Sequence, residues 1–124
     1  PESMIPGWYE GVVHYENGDS MVSKITYYKN GQSKIEADYT TAQRGGIKIE
    51  AKVTMEGTWK VEDNALIETV QKVSAMPANL KGEIEKKMNI GNKLPSNTII
   101  AANDEHLILQ NRNGKQITYK RIKK

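Results

Sequence analysis

The side chains of this 124-residue chain with chemical potential are two histidines, a scatter of carboxylates, six tyrosines and two tryptophans. Glu10, His14 and Glu16 share one face of an extended segment at a spacing of two, which sketches a Glu-His-Glu metal site. Residues four apart on a strand lie about 13 Å from one another. One ion would therefore need a turn or a second strand to collect them, and a solvated surface histidine is the plainer reading. There is no cysteine, so disulfides, thiol nucleophiles and thiolate metal sites are excluded. No Gly-x-Ser-x-Gly elbow, phosphate-cradling glycine loop or zinc helix motif occurs, and Gly45-Gly46 has neither the spacing nor the following helix of a phosphate site. Carboxylate pairs that meet only in space are invisible at this level. The expectation is a protein that is not an enzyme and needs no cofactor. Tyr27, Tyr39 and Trp59 remain as rings that could stack on a ligand and orient it through their polar ends. Their alternative role is ordinary wall packing.

The elements that would position these groups are strands. Ile47 to Met55 alternates cleanly: Ile47, Ile49, Ala51, Val53 and Met55 on one face, Lys48, Glu50, Lys52, Thr54 and Glu56 on the other. Period two means a half-buried antiparallel strand. Gly57 to Glu62 continues it, with Glu56-Gly57 as a tight turn or a bulge. Three Asn-Gly dipeptides, at Asn17-Gly18, Asn30-Gly31 and Asn113-Gly114, predict hairpins of type I′, in which both central residues take positive φ. Asp63-Asn64 and Asp104-Glu105 supply further turns. Strands are predicted over residues 8–15, 20–28, 33–39, 47–55, 57–62, 65–73, 97–102, 106–112 and 115–122. Between them, Asn79 is a candidate N-cap for one short helix over about 79–89, with Leu80, Ile84 and Met88 as its apolar stripe.

Eight or nine sequential strands in one domain twist too far to stay an open sheet, and open edges invite aggregation. The fold class is therefore all-β: an up-and-down antiparallel meander closed into an eight- or nine-stranded barrel spanning residues 1–124. Residues 1–6 are expected to be disordered or foreign to the natural domain. Such a barrel is filled by side chains or holds one small ligand. The predicted inward set is Ile25, Tyr27, Ile35, Ala37, Tyr39, Ile47, Ile49, Ala51, Val53, Met55 and Trp59. Ala37, Ala51 and Ala101 are small, and small inner residues leave room for a ligand; the competing reading is a fully packed core.

The chain resembles small bacterial lipocalin-like domains of the calycin group. The resemblance rests on Gly7-Trp8 opening the first strand, on Gly57-Thr58-Trp59-Lys60-Val61 followed by Asn64-Ala65-Leu66, and on the ending Leu107-Ile108-Leu109, Asn113-Gly114-Lys115 and Thr118-Tyr119-Lys120-Arg121-Ile122. It implies a structural contact between Trp8 and Arg121 at the closed end of the barrel. It also implies a small apolar or amphipathic ligand. Avidin-like and protease-inhibitor barrels share the general pattern, so recognition of a protein partner through residues 40–46, 74–79 and 89–97 is the rival.

The net charge of +3 is small, with 18 basic against 15 acidic residues, and does not describe a polyanion binder. Lys115, Lys120, Arg121, Lys123 and Lys124 read as a solvated last strand, so no nucleic acid is expected. No apolar run reaches the length of a transmembrane segment. The expected location is periplasmic or secreted.

Overall fold

The computed structural model describes residues 4–14, 18–42, 48–76, 78, 81–88, 90–92 and 94–122. Eight antiparallel strands run in sequence order and close on themselves: β1 (Gly7–His14), β2 (Ser20–Tyr27), β3 (Gln32–Ala42), β4 (Lys48–Glu62), β5 (Ala65–Met76), β6 (Asn97–Ala102), β7 (His106–Gln110) and β8 (Gln116–Ile122). One helix, α1 (Lys81–Met88), lies between β5 and β6. Closure comes from β1 against β8, in the register Trp8↔Ile122, Tyr9↔Arg121 and Glu10↔Lys120. The expected helix is present; its predicted cap Asn79 and stripe Leu80, Ile84 and Met88 lie outside the described residues or side chains.

The two segments predicted on either side of Glu56-Gly57 are one strand, β4. The register shift there leaves Gln71 of β5 without a partner, since Glu56 pairs with Lys72 and Gly57 with Val70. Gly57 is required at that point. A Cβ would land on the carbonyl oxygen of Thr69 and within 3.1 Å of the Val70 Cα. A second bulge leaves Ile100 unpaired between Ile99↔Leu109 and Ala101↔Ile108. The extra residue reverses the alternation of β6, so Ala102 rather than Ala101 packs on the core. The expectation for Ala101 is corrected accordingly.

Turn chemistry also departs from expectation. Gly31 and Gly114 take φ +89° and +82°, but Asn30 and Asn113 do not take positive φ. Both hairpins instead close with the glycine N–H bonded three residues back, to Tyr28 and Asn111 respectively. This is a type I turn followed by a left-handed glycine, the usual three-residue loop. The type I′ turn is Asp63-Asn64, with φ +50° and +61° between the paired Glu62 and Ala65. Residues 15–17 of the first hairpin lie outside the described part.

β5 and β6 pair only through Ala65↔Thr98 and Leu66↔Asn97. Above that point the edge of β5 is met by the chain leaving α1. Gly91 N donates to Val70 O at 2.9 Å and Leu94 N to Glu68 O at 2.8 Å. The loop thus satisfies backbone groups that a longer β6 would otherwise bond.

Candidate functional site

One end of the barrel is sealed by a plug built on Arg121. Its Nη1 donates to Pro6 O at 3.0 Å, and its Nη2 donates to Met4 O at 2.6 Å and to the Tyr9 hydroxyl at 2.7 Å. The guanidinium carbon sits 4.9 Å from the Tyr9 ring centroid, within the range of cation–π attraction. Tyr9 in turn donates to Ile5 O at 2.6 Å. Burial raises the Tyr9 pKa, and the charge of Arg121 partly opposes that rise. Gly7 holds φ +151°, and a Cβ there would come within 2.6 Å of Arg121 Nη1.

The resemblance implies a contact of Arg121 with Trp8; the structure stacks Arg121 on Tyr9, and Trp8 is 40% exposed. Strand alternation explains the Tyr9 contact, because Tyr9 is the residue in register with Arg121 and both point inward. The expected disorder of residues 1–6 is likewise corrected over 4–6: Ile5 is fully buried in the plug. No sequence periodicity announces a single buried residue ahead of the first strand.

Above the plug stands a cluster of large side chains: Tyr9, Ile25, Tyr27, Trp59, Leu66, Ile99, Leu107 and Leu109. Tyr27 meets Tyr9 and Trp59 edge-on at centroid distances of 5.8 and 5.7 Å. The Trp59 indole N–H is already spent on Tyr28 O at 2.8 Å, so Trp59 serves the wall.

Nearer the other end, a second cluster contains Ala37, Val53, Met55, Val70 and Val73, with Met21, Ala75, Ile90 and Leu94 against it. One inward row there is small throughout. Gly11, Ser23, Ala37, Val53 and Ala75 stand in direct register across five consecutive strands. The Tyr119 ring covers Gly11 closely enough that a Cβ would collide with it. No comparable aromatic stands in register with Ser23, Ala37, Val53 or Ala75. Tyr39 is half-buried at this end, where its hydroxyl donates to Asp19 Oδ2 at 2.5 Å.

Between the clusters sits a carboxyl that sequence reasoning missed. Glu68 occupies the inner face of β5 between Leu66 and Val70, both buried. It accepts a 2.9 Å hydrogen bond at Oε1 from the Tyr27 hydroxyl. Burial raises the Glu68 pKa, and the bond from Tyr27 works the other way. Tyr27 is pushed well above its ordinary value by burial, with Glu68 adding to the rise. The signal was present in the spacing Leu66, Glu68, Val70, but the bulge at Gln71 puts Val73 out of phase and hides the pattern.

Of the predicted interior residues, Ile25, Tyr27 and Trp59 fall in the sealed-end cluster and Ala37, Val53 and Met55 in the other. Ile35 packs against both clusters, and Ala51 is buried. Residue 47 and the side chain of Ile49 lie outside the described part. His14 is exposed and Glu16 lies outside the described residues; no cluster of potential metal ligands occurs among the described residues. No helix among them is long and apolar enough to cross a membrane.

No protein-family model matches the chain, and no curated protein matches it. Among solved structures, the chain is similar to a lipocalin-like protein from Bacteroides uniformis, with TM-score 0.55 and 11% identity over 96% of this chain and 99% of that one. The likeness extends over the whole barrel and is one of fold: this chain is a lipocalin-like barrel.

Proposed function

We propose that the barrel binds a small apolar or amphipathic molecule between the small-residue row and the end opposite the Arg121 plug. The observation that carries this reading is the grading of the interior. Aromatic and leucine side chains fill the sealed end, whereas Ser23, Ala37, Val53 and Ala75 line the other. Small residues on an inner row leave volume beside the wall, and an eight-stranded barrel is the size that holds one small ligand. Burial of ligand surface would drive binding at about 25 cal/mol per Å². The likeness to a lipocalin-like protein supports the same reading at the level of fold.

Native mass spectrometry of the purified protein, followed by denaturing extraction, tests it. A reproducible extra mass released on denaturation is the expected result. A bare polypeptide mass, together with no uptake of a neutral fluorescent probe such as N-phenyl-1-naphthylamine, overturns it. That outcome would favour recognition of a protein partner. One observation supports this rival: the connections after β1, β3, β5 and β7 all leave the barrel at the end opposite the Arg121 plug.

A further inference from the structure

Glu68 is difficult to explain as packing. It is an inward-facing carboxyl bounded along β5 by Leu66 and Val70, and a hydrophobic residue would satisfy that position at lower cost. Its protein hydrogen bond is the one from Tyr27 at 2.9 Å, which engages a single oxygen. A carboxylate has about four acceptor sites. Among the described residues the ion pairs Lys34–Glu36 and Lys60–Glu62 leave Glu68 out. Arg121, which points inward at the sealed end, is committed there to Met4, Pro6 and Tyr9. The side chain that acts on Glu68 is the Tyr27 phenol, which carries no positive charge. Carboxylates withdrawn from water are ordinarily paired with a cation or a set of donors, and among the described residues this half-buried one has the Tyr27 hydroxyl alone.

We infer that Glu68 is the polar anchor of the barrel's ligand, and that this ligand carries a protonated amine on an apolar body. The inference rests on the ligand-binding reading above and names the class of molecule it takes. The ammonium supplies the missing counter-charge and donates to the unoccupied oxygen of Glu68. The rings of Tyr27 and Trp59, 5.7 Å apart, add aromatic faces that attract a cation. The apolar body lies along Ala37, Val53 and Val70. Tyr27 is a positioning residue, since its hydroxyl holds the carboxyl in one orientation.

Isothermal titration calorimetry with three eight-carbon probes (octylammonium, octanol and octanoate) tests the head-group assignment on the wild-type protein. Octylammonium should bind at least tenfold tighter than octanol, and octanoate weakest of the three. Glu68→Gln should reduce octylammonium to the affinity of octanol while leaving octanol within about threefold. Tyr27→Phe, which keeps the ring, should narrow the preference for octylammonium without abolishing octanol binding. Octanol or octanoate binding as well as octylammonium to the wild type would overturn the amine assignment and leave the ligand-binding reading standing. So would a Glu68→Gln protein that retains the preference. Failure of all three probes to bind would overturn both.

Discussion

Ala37→Leu decides whether the small-residue row holds free volume. Ala37 is 4% exposed, flanked in register by Ser23 at 2% and Val53 at 7%, so the added side chain has no route to solvent. It can only enter the barrel. Leucine adds three carbons to alanine, each worth about 0.8 kcal/mol when buried. Fixing its rotamer costs about 0.5–1 kcal/mol. The net gain is about 1.5 kcal/mol if the space is open, which for a domain of this size raises the melting temperature by about 5–8 °C. If the row is already filled, the same carbons force neighbours aside and cost about 1–3 kcal/mol. The two cases differ in sign. Thermal melts followed by circular dichroism, run beside titration with N-phenyl-1-naphthylamine, read both consequences. Open volume requires a higher melting temperature and probe binding weakened at least tenfold. A lower melting temperature would refute the reasoning from the row, and unchanged probe affinity would remove the ligand from it.

Three further perturbations probe the frame around that space. Gly57→Ala puts a methyl on the Thr69 carbonyl opposite the β5 bulge; it should cost about 3 kcal/mol or more in urea unfolding, and a cost below 1 kcal/mol would mean the bulge yields freely. Arg121→Met keeps the apolar stem but strips donors from Met4 O, Pro6 O and the Tyr9 hydroxyl. A loss of about 2–4 kcal/mol is expected from leaving those groups unsatisfied, and a loss under 0.5 kcal/mol would show that the plug does not hold the end closed. Glu68→Gln tests the half-buried, inward-facing charge. The folded-state pKa of Glu68 lies above the unfolded value, so the ionised form is disfavoured by folding. The penalty is fully present above the folded pKa and gone below the unfolded value of about 4.3. The variant, which still accepts from Tyr27, should melt higher than the wild type at pH 8, and the gap should close as pH falls towards 4. A gap independent of pH would mean that folding leaves the Glu68 pKa where it stands in the unfolded chain.

Much of the interior was legible because a strand has period two. Once Ile25, Tyr27, Ile35, Ala37, Ala51, Val53, Met55 and Trp59 were set on one parity, the pleat sent them all inward, and the structure leaves them buried or half-buried. The count of strands and the closing of the barrel followed from the turns and from the cost of exposed edges. Asn30-Gly31 and Asn113-Gly114 marked their hairpins correctly, although the backbone there is a type I turn with a left-handed glycine. A dipeptide restricts which residues can take positive φ; the loop length accepted by the flanking strands selects among the turns that remain.

The rest depended on groups distant in the chain. Arg121 and Tyr9 meet only because β8 closes on β1 in one register, and a shift of one residue would have offered Trp8 instead. Ile5 is buried by a plug that needs Arg121, more than a hundred residues later, to bond the carbonyl of Met4. The bulges at Gln71 and Ile100 each insert one residue and invert the faces beyond them, which no local pattern records. Glu68 took its meaning from the same closure. Its charge was visible in the sequence, but that it faces Tyr27 across the barrel, between two apolar clusters and with no paired cation among the described residues, is decided only when the sheet has curled around it. Local alternation determined which side of each strand is apolar; register and closure, set by the summed fit of eight strands, determined what those sides meet.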